Sequence, residues 1–264
     1  MFKATILGSG AAWPDAHRNP PSHAVKIDDD TLLFDCGGGT VSRLMQGGFK
    51  PSEMRYLFLS HLHIDHCVEY SSLIFGSYLT GKKDEWNVFG PKGTQAFSDS
   101  IFNNVYPFAR QMARSLRNVE IQINITEVPS GNQPVEVINT GKWKVSAVGV
   151  KHGIDTLAYR VDVHGSSIVI SGDTEPCPSL LQIARKATLL IQDCAWPDEM
   201  GERPGHCIPR QVREIVKTAE VSEVILVHMF PPCNGHEEEM VKSVKEGYGG
   251  DVVAGEDLLT ITVS

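Results

Sequence analysis

The sequence predicts an α/β chain whose strands end in reactive side chains. Short apolar runs of strand length recur throughout the chain, and segments of helical periodicity lie between them. Four of those runs also stop at histidines or aspartates: at Ser60–His66, at His152, at Asp173 and at His228. The densest of these stops reads Ser-His-Leu-His-Ile-Asp-His from Ser60 to His66, directly after the strand-like run Arg55-Tyr56-Leu57-Phe58-Leu59. Neutral imidazoles and a carboxylate are the donors that zinc, iron or manganese accept, at about 2.0–2.2 Å. His61, His63, Asp65 and His66 are therefore candidate metal ligands.

Composition bounds the rest. A length of 264 residues suits one large domain or two small ones, and no low-complexity linker divides it, so residues 1–264 are read as a single domain. The formal charge of −8 and the absence of any Lys/Arg-rich run argue against a general nucleic-acid binder. A local basic patch is still compatible with this balance, as around Arg110, Arg114 and Arg117. Neither a signal peptide nor an apolar run of about 18 residues is expected. The six cysteines include no Cys-x-x-Cys pair, so reduced thiols in the cytoplasm are the simpler expectation.

In chain order, Lys3 to Leu7 reads as a first strand, followed by Gly8-Ser9-Gly10-Ala11-Ala12. These glycines imitate a dinucleotide fingerprint, but Trp13-Pro14 and the polar residues to Pro21 cannot open the required helix. A loop at the mouth of the site is expected instead, with Trp13 read first as a packed loop aromatic and second as a candidate substrate contact. Ala24–Ile27 and Thr31–Phe34 flank Asp28-Asp29-Asp30, a solvated hairpin turn by composition. Asp35-Cys36-Gly37-Gly38-Gly39-Thr40 leads into a helix ending near Gln46.

One helix is expected from Cys67 to Tyr78, and another from Asp99 to Arg117 with a break at Pro107. Phe102, Tyr106 and Phe108 are assigned to packing. Glu120–Val128, Val135–Ile138 and Trp143–Val150 read as antiparallel strands. In the run before His152, Val145, Ala147 and Gly149 alternate with Lys144, Ser146 and Val148. Strands at Leu157–Val163, Ile168–Ile170, Leu189–Ile191 and Val224–Val227 follow, with helices near Ser179–Lys186 and Pro209–Ala219. A helix at Glu237–Glu246 and strands at Asp251–Ala254 and Leu258–Val263 close the chain.

With these stops in place the chain resembles the metallo-β-lactamase superfamily. The resemblance implies a four-layer αβ/βα sandwich, two sheets face to face with helices outside. It also implies two divalent metal ions, zinc first, with manganese and iron as alternatives. His61, His63 and His152 would hold one ion, Asp65, His66 and His228 the other, and Asp173 would bridge both. Asp65 would in addition orient the nucleophile, and Asp35 would orient a ligand imidazole from behind. His63 argues against redox di-iron relatives, which usually carry Glu there.

Gly8-Ser-Gly-Ala-Ala, Arg18-Asn19, Asp35-Cys36-Gly37, Phe89-Gly-Pro-Lys-Gly-Thr and Gly205-His206 look like the ribonuclease Z and arylsulfatase branch. That branch implies a catalytic role for His206, oriented by Asp193, where the branch usually has Glu; helix capping is the competing structural role for His206. Typical ribonuclease Z sequences insert a tRNA-gripping arm between the positions of His152 and Asp173. Here 20 residues intervene, room for two strands and a tight turn at His164-Gly165. The expectation is therefore a metal-dependent hydrolase of a small ester, a phosphodiester or sulfate ester, with nucleic acid not favoured as substrate. A ribonuclease Z-like tRNA 3′-processing enzyme and a lactonase or β-lactamase stand as alternatives, and a metal-binding scaffold with a relic site is the non-enzymatic one. A homodimer is expected, with no membrane partner.

Overall fold

Residues 2–263 are described by a computed structural model. The first sheet is built from β1 (Phe2–Gly8), β2 (Ser22–Ile27), β3 (Asp30–Phe34), β4 (Tyr56–Phe58), β5 (Trp86–Gly90) and β6 (Ile123–Glu127). The second holds β7 (Val135–Asn139), β8 (Lys144–Val150), β9 (Thr156–Val163), β10 (Ser166–Ile170), β11 (Leu189–Asp193), β12 (Glu223–Val227) and β13 (Asp251–Ala254). β14 (Thr260–Val263) returns to pair antiparallel with β1. The sheet orders are β14-β1-β2-β3-β4-β5-β6 and β13-β12-β11-β10-β9-β8-β7.

Each sheet begins antiparallel and finishes parallel: the change comes at β3/β4 in the first and at β10/β11 in the second. Parallel neighbours need crossover connections, and these carry the helices. In the first half they are α1 (Thr40–Gln46), α2 (Ile64–Cys67), α3 (Tyr70–Leu79), α4 (Thr94–Asp99) and α5 (Phe108–Arg117). In the second they are α6 (Pro178–Ala184), α7 (Pro209–Thr218) and α8 (Glu237–Lys245).

The period of two along a strand explains the layering. Ile168 and Ile170 join Phe34, Phe58 and Tyr159 in the core between the sheets, whereas Val169 joins Leu180, Val212 and Val216 under the helices. On the first sheet Leu33 and Leu57 pack outward with Leu44, Leu73 and Tyr78. Strands covered on both faces read as continuous apolar runs. The result is the four-layer αβ/βα sandwich. Phe58, the last residue of β4, lies between Phe34 and Phe89, with ring centres at 4.9 and 4.8 Å. Its burial anchors the loop that carries His61 and His63; truncating such a residue costs about 3–5 kcal/mol.

Three local expectations are corrected. The helix expected over Cys67–Tyr78 is split into α2 and α3, because the Glu69 N–H donates to the Cys36 carbonyl at 3.0 Å in place of a helical acceptor, while its carboxylate accepts the backbone N–H groups of Gly39 and Val41 at 2.9 and 2.7 Å. Asp65 and His66 consequently ride on a short helix. β6 runs parallel to β5, since residues 94–117 form a helical crossover between them. Phe102 is buried as expected, but Tyr106 and Phe108 are exposed. The β9–β10 turn consists of His164 and Gly165 at φ 49° and 91°, the left-handed pair of a tight hairpin.

Candidate metal centre

Ligand atoms arrive from the carboxyl ends of β4, β8, β10 and β12, where open α/β sheets place their sites. His61, His63, His152 and Asp173 each put one donor atom within 4.8 Å of the others, and so do Asp65, His66 and His228. His63 Nδ1 stands 2.9 Å from His61 Nε2 and 3.2 Å from His152 Nε2. In the second group, His66 Nε2 lies 3.5 Å from Asp65 Oδ2 and 3.4 Å from His228 Nε2. Asp173 stands between the groups. Its Oδ1 is 3.2 Å from His66 Nε2, and its Oδ2 is 3.1 Å from His228 Nε2 and 3.8 Å from His61 Nε2. All seven residues expected from the sequence thus meet in one place.

The hydrogen bonds behind the rings decide which nitrogen faces inward. His152 Nδ1 donates to the Gly205 carbonyl at 2.8 Å. His66 Nδ1 donates to Asp35 Oδ2 at 2.8 Å. Ser60 Oγ gives its proton to the same Asp35 oxygen, so it accepts from His61 Nδ1 at 3.0 Å. In the neutral rings the Nε2 atoms of His61, His66 and His152 are therefore left as lone pairs, pointing at one another and at two carboxylates. Lone pairs facing lone pairs repel, and divalent cations convert that arrangement into a bound one. The donor set fits two metal ions.

Electrostatics agree. Burial, and then the neighbouring His66, keep the His61 imidazole well below its ordinary range, and burial with His152 lowers His63. Burial also opposes charge on His66, but Asp173 and Asp35 outweigh it and raise its pKa well above the ordinary value. For Asp173, burial opposes the carboxylate charge, while His228 and His66 prevail and hold it well below the usual range. The pull that draws a proton into this group is equally available to a metal cation. Asp35 and His228 both adopt left-handed backbone, at φ 58° and 60°. Such conformations are costly for these residue types and cluster where side chains must be aimed.

His206 borders the cluster. Its Nδ1 is 3.2 Å from Asp193 Oδ2, and its ring stacks near His228 with centres 5.0 Å apart. Burial disfavours its charge, but the Asp193 carboxylate raises its pKa to about 9. It makes no capping bond to α7, whose N-cap position is Ile208. Asp193 Oδ2 also accepts the Thr174 N–H at 3.1 Å, and its Oδ1 lies 3.7 Å from His228 Nδ1. Those last two atoms are buried without a hydrogen-bond partner, so Asp193 faces both His206 and a candidate ligand.

Several supporting residues escaped sequence reasoning. Ser60 joins Asp35 to His61; its place immediately before the first histidine was the available signal. Gly205 supplies the acceptor for His152 and has φ 88°, and a Cβ there would sit 2.8 Å from the His152 ring. His23, buried below the site, has a pKa lowered to about 3 by burial and then by His66 and His228. Trp196 and Phe230 stack at 4.2 Å beside His206 and His228. They follow the ends of β11 and β12 by only three residues each, a spacing that carries no recognisable motif.

Fold and site together define a metallo-β-lactamase-fold protein of the metal-dependent hydrolase class. The chain belongs to the beta-lactamase superfamily domain family, which it matches over residues 30–229. It is similar to ribonuclease Z of Methanosarcina acetivorans, 25% identical over 100% of this chain and 98% of that protein. Ribonuclease Z of Ignicoccus hospitalis is 27% identical, over 98% and 97% of the two chains. Among solved structures, the short form of human tRNase Z matches with a TM-score of 0.78 at 21% identity, covering 99% of both chains. The metallo-β-lactamase fold protein YhfI of Bacillus subtilis gives 0.79 at 21% identity, covering 98% of both. These structural matches establish the fold. The alignment with the Methanosarcina protein runs over 315 positions against 264 residues here, so at least 51 of its positions have no counterpart in this chain.

Proposed function

We propose that this protein is a dinuclear-metal phosphodiesterase acting on RNA, with ribonuclease Z-like chemistry. The observation that carries the reading is His206, held on Asp193 at the border of seven convergent ligand atoms. The full-length relatives named ribonuclease Z move the preference away from the small phosphodiester or sulfate ester expected from the sequence. His61, His63 and His152 would hold one ion, Asp65, His66 and His228 the other, with Asp173 shared. Divalent ions bound there would polarise the phosphoryl oxygens and lower the pKa of water from 15.7 toward about 7. Asp65 would also orient the attacking water. His206, donating Nδ1–H to Asp193, keeps Nε2 to serve the leaving oxygen. Asp193 is the positioning residue. Zinc is the proposed metal; manganese and iron suit the same donors.

A small phosphodiester is the second reading, favoured by the two-residue β9–β10 turn where a tRNA-gripping arm would be inserted. Comparing kcat/KM for 3′-extended tRNA and bis-p-nitrophenyl phosphate at one salt concentration tests both. Site-specific tRNA cleavage at higher efficiency supports the RNA reading; turnover of the small ester alone overturns it. The same proposal takes residues 1–264 as one functional unit, because the core between the sheets draws on both halves of the chain. It also includes a cytoplasmic setting, in keeping with six free thiols. Among the described residues no helix is long and apolar enough to cross a membrane. The expected homodimer is retained, and a monomeric mass in sedimentation would reject it.

A further inference from the structure

Trp13 is unlike the other tryptophans. It is 51% exposed, whereas Trp86, Trp143 and Trp196 are buried. It sits in the loop after β1, nearly perpendicular to both Trp196 and Phe230, at centre distances of 5.6 and 5.4 Å. Since those two rings stack on each other, Trp13 lies beside the stack, braced by it and half in solvent. Phe230 in turn lies 5.8 Å from His206 and 5.5 Å from His228. A single ring therefore separates the exposed indole from the site.

Two further groups at this cluster lack partners. The exposed Arg203 guanidinium lies 4.5 Å over the Trp196 ring, and among the described residues no carboxylate pairs with it. The Trp196 indole N–H is buried without an acceptor. The Trp13 indole is braced by two rings on one side and open to solvent on the other.

We infer that Trp13 is a stacking platform for a nucleobase next to the scissile phosphodiester, with Arg203 meeting a neighbouring phosphate. The inference rests on the RNA reading above and names the part of the RNA that is gripped: an unpaired nucleotide at the site itself. Every base offers a π face, so aromatic platforms hold single strands with little regard for sequence. A guanidinium matches phosphate oxygens with paired donors. Such a subsite supplies grip beside the reacting phosphate to a chain with no arm in its β9–β10 turn.

The test has a binding arm and a kinetic arm. Because Trp13 is the exposed indole, adding adenosine 5′-monophosphate to the metal-loaded protein should quench tryptophan fluorescence saturably, and Trp13→Leu should abolish the quenching. In kinetics, the ratio of kcat/KM for thymidine 5′-(p-nitrophenyl phosphate) to that for methyl p-nitrophenyl phosphate reports recognition of the base. Trp13→Leu should lower that ratio about 5- to 100-fold, the usual worth of one stacked base, and Trp13→Phe should restore most of it. Arg203→Gln should weaken nucleotide quenching while leaving it saturable. An unchanged ratio in Trp13→Leu, with both esters hydrolysed, overturns the platform and leaves the phosphodiesterase reading standing. If the wild-type protein hydrolyses neither ester, the tRNA assay above decides the phosphodiesterase reading and the quenching experiment alone decides the platform: no saturable quenching refutes it.

Discussion

Replacing Asp35 with asparagine preserves shape and removes one acceptor from behind the site. Asp35 is buried and accepts three hydrogen bonds: Ser60 N–H at 2.7 Å on Oδ1, and Ser60 Oγ and His66 Nδ1, both at 2.8 Å, on Oδ2. An amide has one oxygen, so either orientation sets its NH2 against a donor. Asparagine tolerates the left-handed φ of 58°, so the backbone adds little to the effect. The misfit should cost about 1–3 kcal/mol of stability in the metal-free protein, from a buried donor left without a partner. It should also weaken zinc binding about 10- to 100-fold, because His66 and, through Ser60, His61 lose the bonds that aim them. Competition against a chromophoric zinc chelator measures the second effect and urea unfolding the first. Zinc affinity within twofold of wild type would refute the reasoning and reduce Asp35 to a structural acceptor.

Further outcomes follow from the same geometry. Elemental analysis of protein purified without chelator should give about two metal ions per chain; a value firmly below one with hydrolysis retained contradicts the dinuclear site. His206→Ala should keep both ions and lower kcat by about 10²–10⁴, less for substrates with good leaving groups, and Asp193→Asn should give a smaller loss of the same kind. An unchanged kcat for every leaving group would make His206 a structural residue. Lys82 is buried, donates to the Met54 carbonyl and lies 5.0 Å from the Trp86 ring. Burial lowers its pKa from 10.5 to about 8. Below pH 8 the full cost of the buried ammonium is present in the fold; between about 8 and 10.5 the unfolded state binds the extra proton, so that cost is progressively relieved as pH rises. Lys82→Met should therefore stabilise the protein by about 1–2 kcal/mol at pH 7, after solvent screening and the lost carbonyl bond, and by much less near pH 10.5. A stability difference that does not vary with pH in urea unfolding would count against it.

The sequence by itself determined the seven candidate ligands and the α/β character. Side-chain donors must be written as residue identities, and His61, His63, Asp65 and His66 fall within six positions at one strand end, so their grouping is local. His152, Asp173 and His228 were legible through the resemblance to the metallo-β-lactamase superfamily, whose later ligand positions are met here in order, each at the end of an apolar run. Only the tertiary structure decided how those donors are aimed. The Gly205 carbonyl that orients His152 is a backbone atom that every residue possesses, and it becomes specific only when the loop before α7 reaches β8. The split between α2 and α3 depends on the Glu69 N–H finding the carbonyl of Cys36, some 30 residues away. β6 joined the first sheet in parallel because the crossover from β5 is helical, a matter of connection that strand periodicity does not encode. Asp193 was read as a partner of His206 alone, and its approach to His228 follows from the parallel register of β11 and β12. Trp13, Trp196, Arg203 and Phe230 come from three separate loops. Their contact is set by long-range packing, so it lies beyond any pattern confined to neighbouring residues.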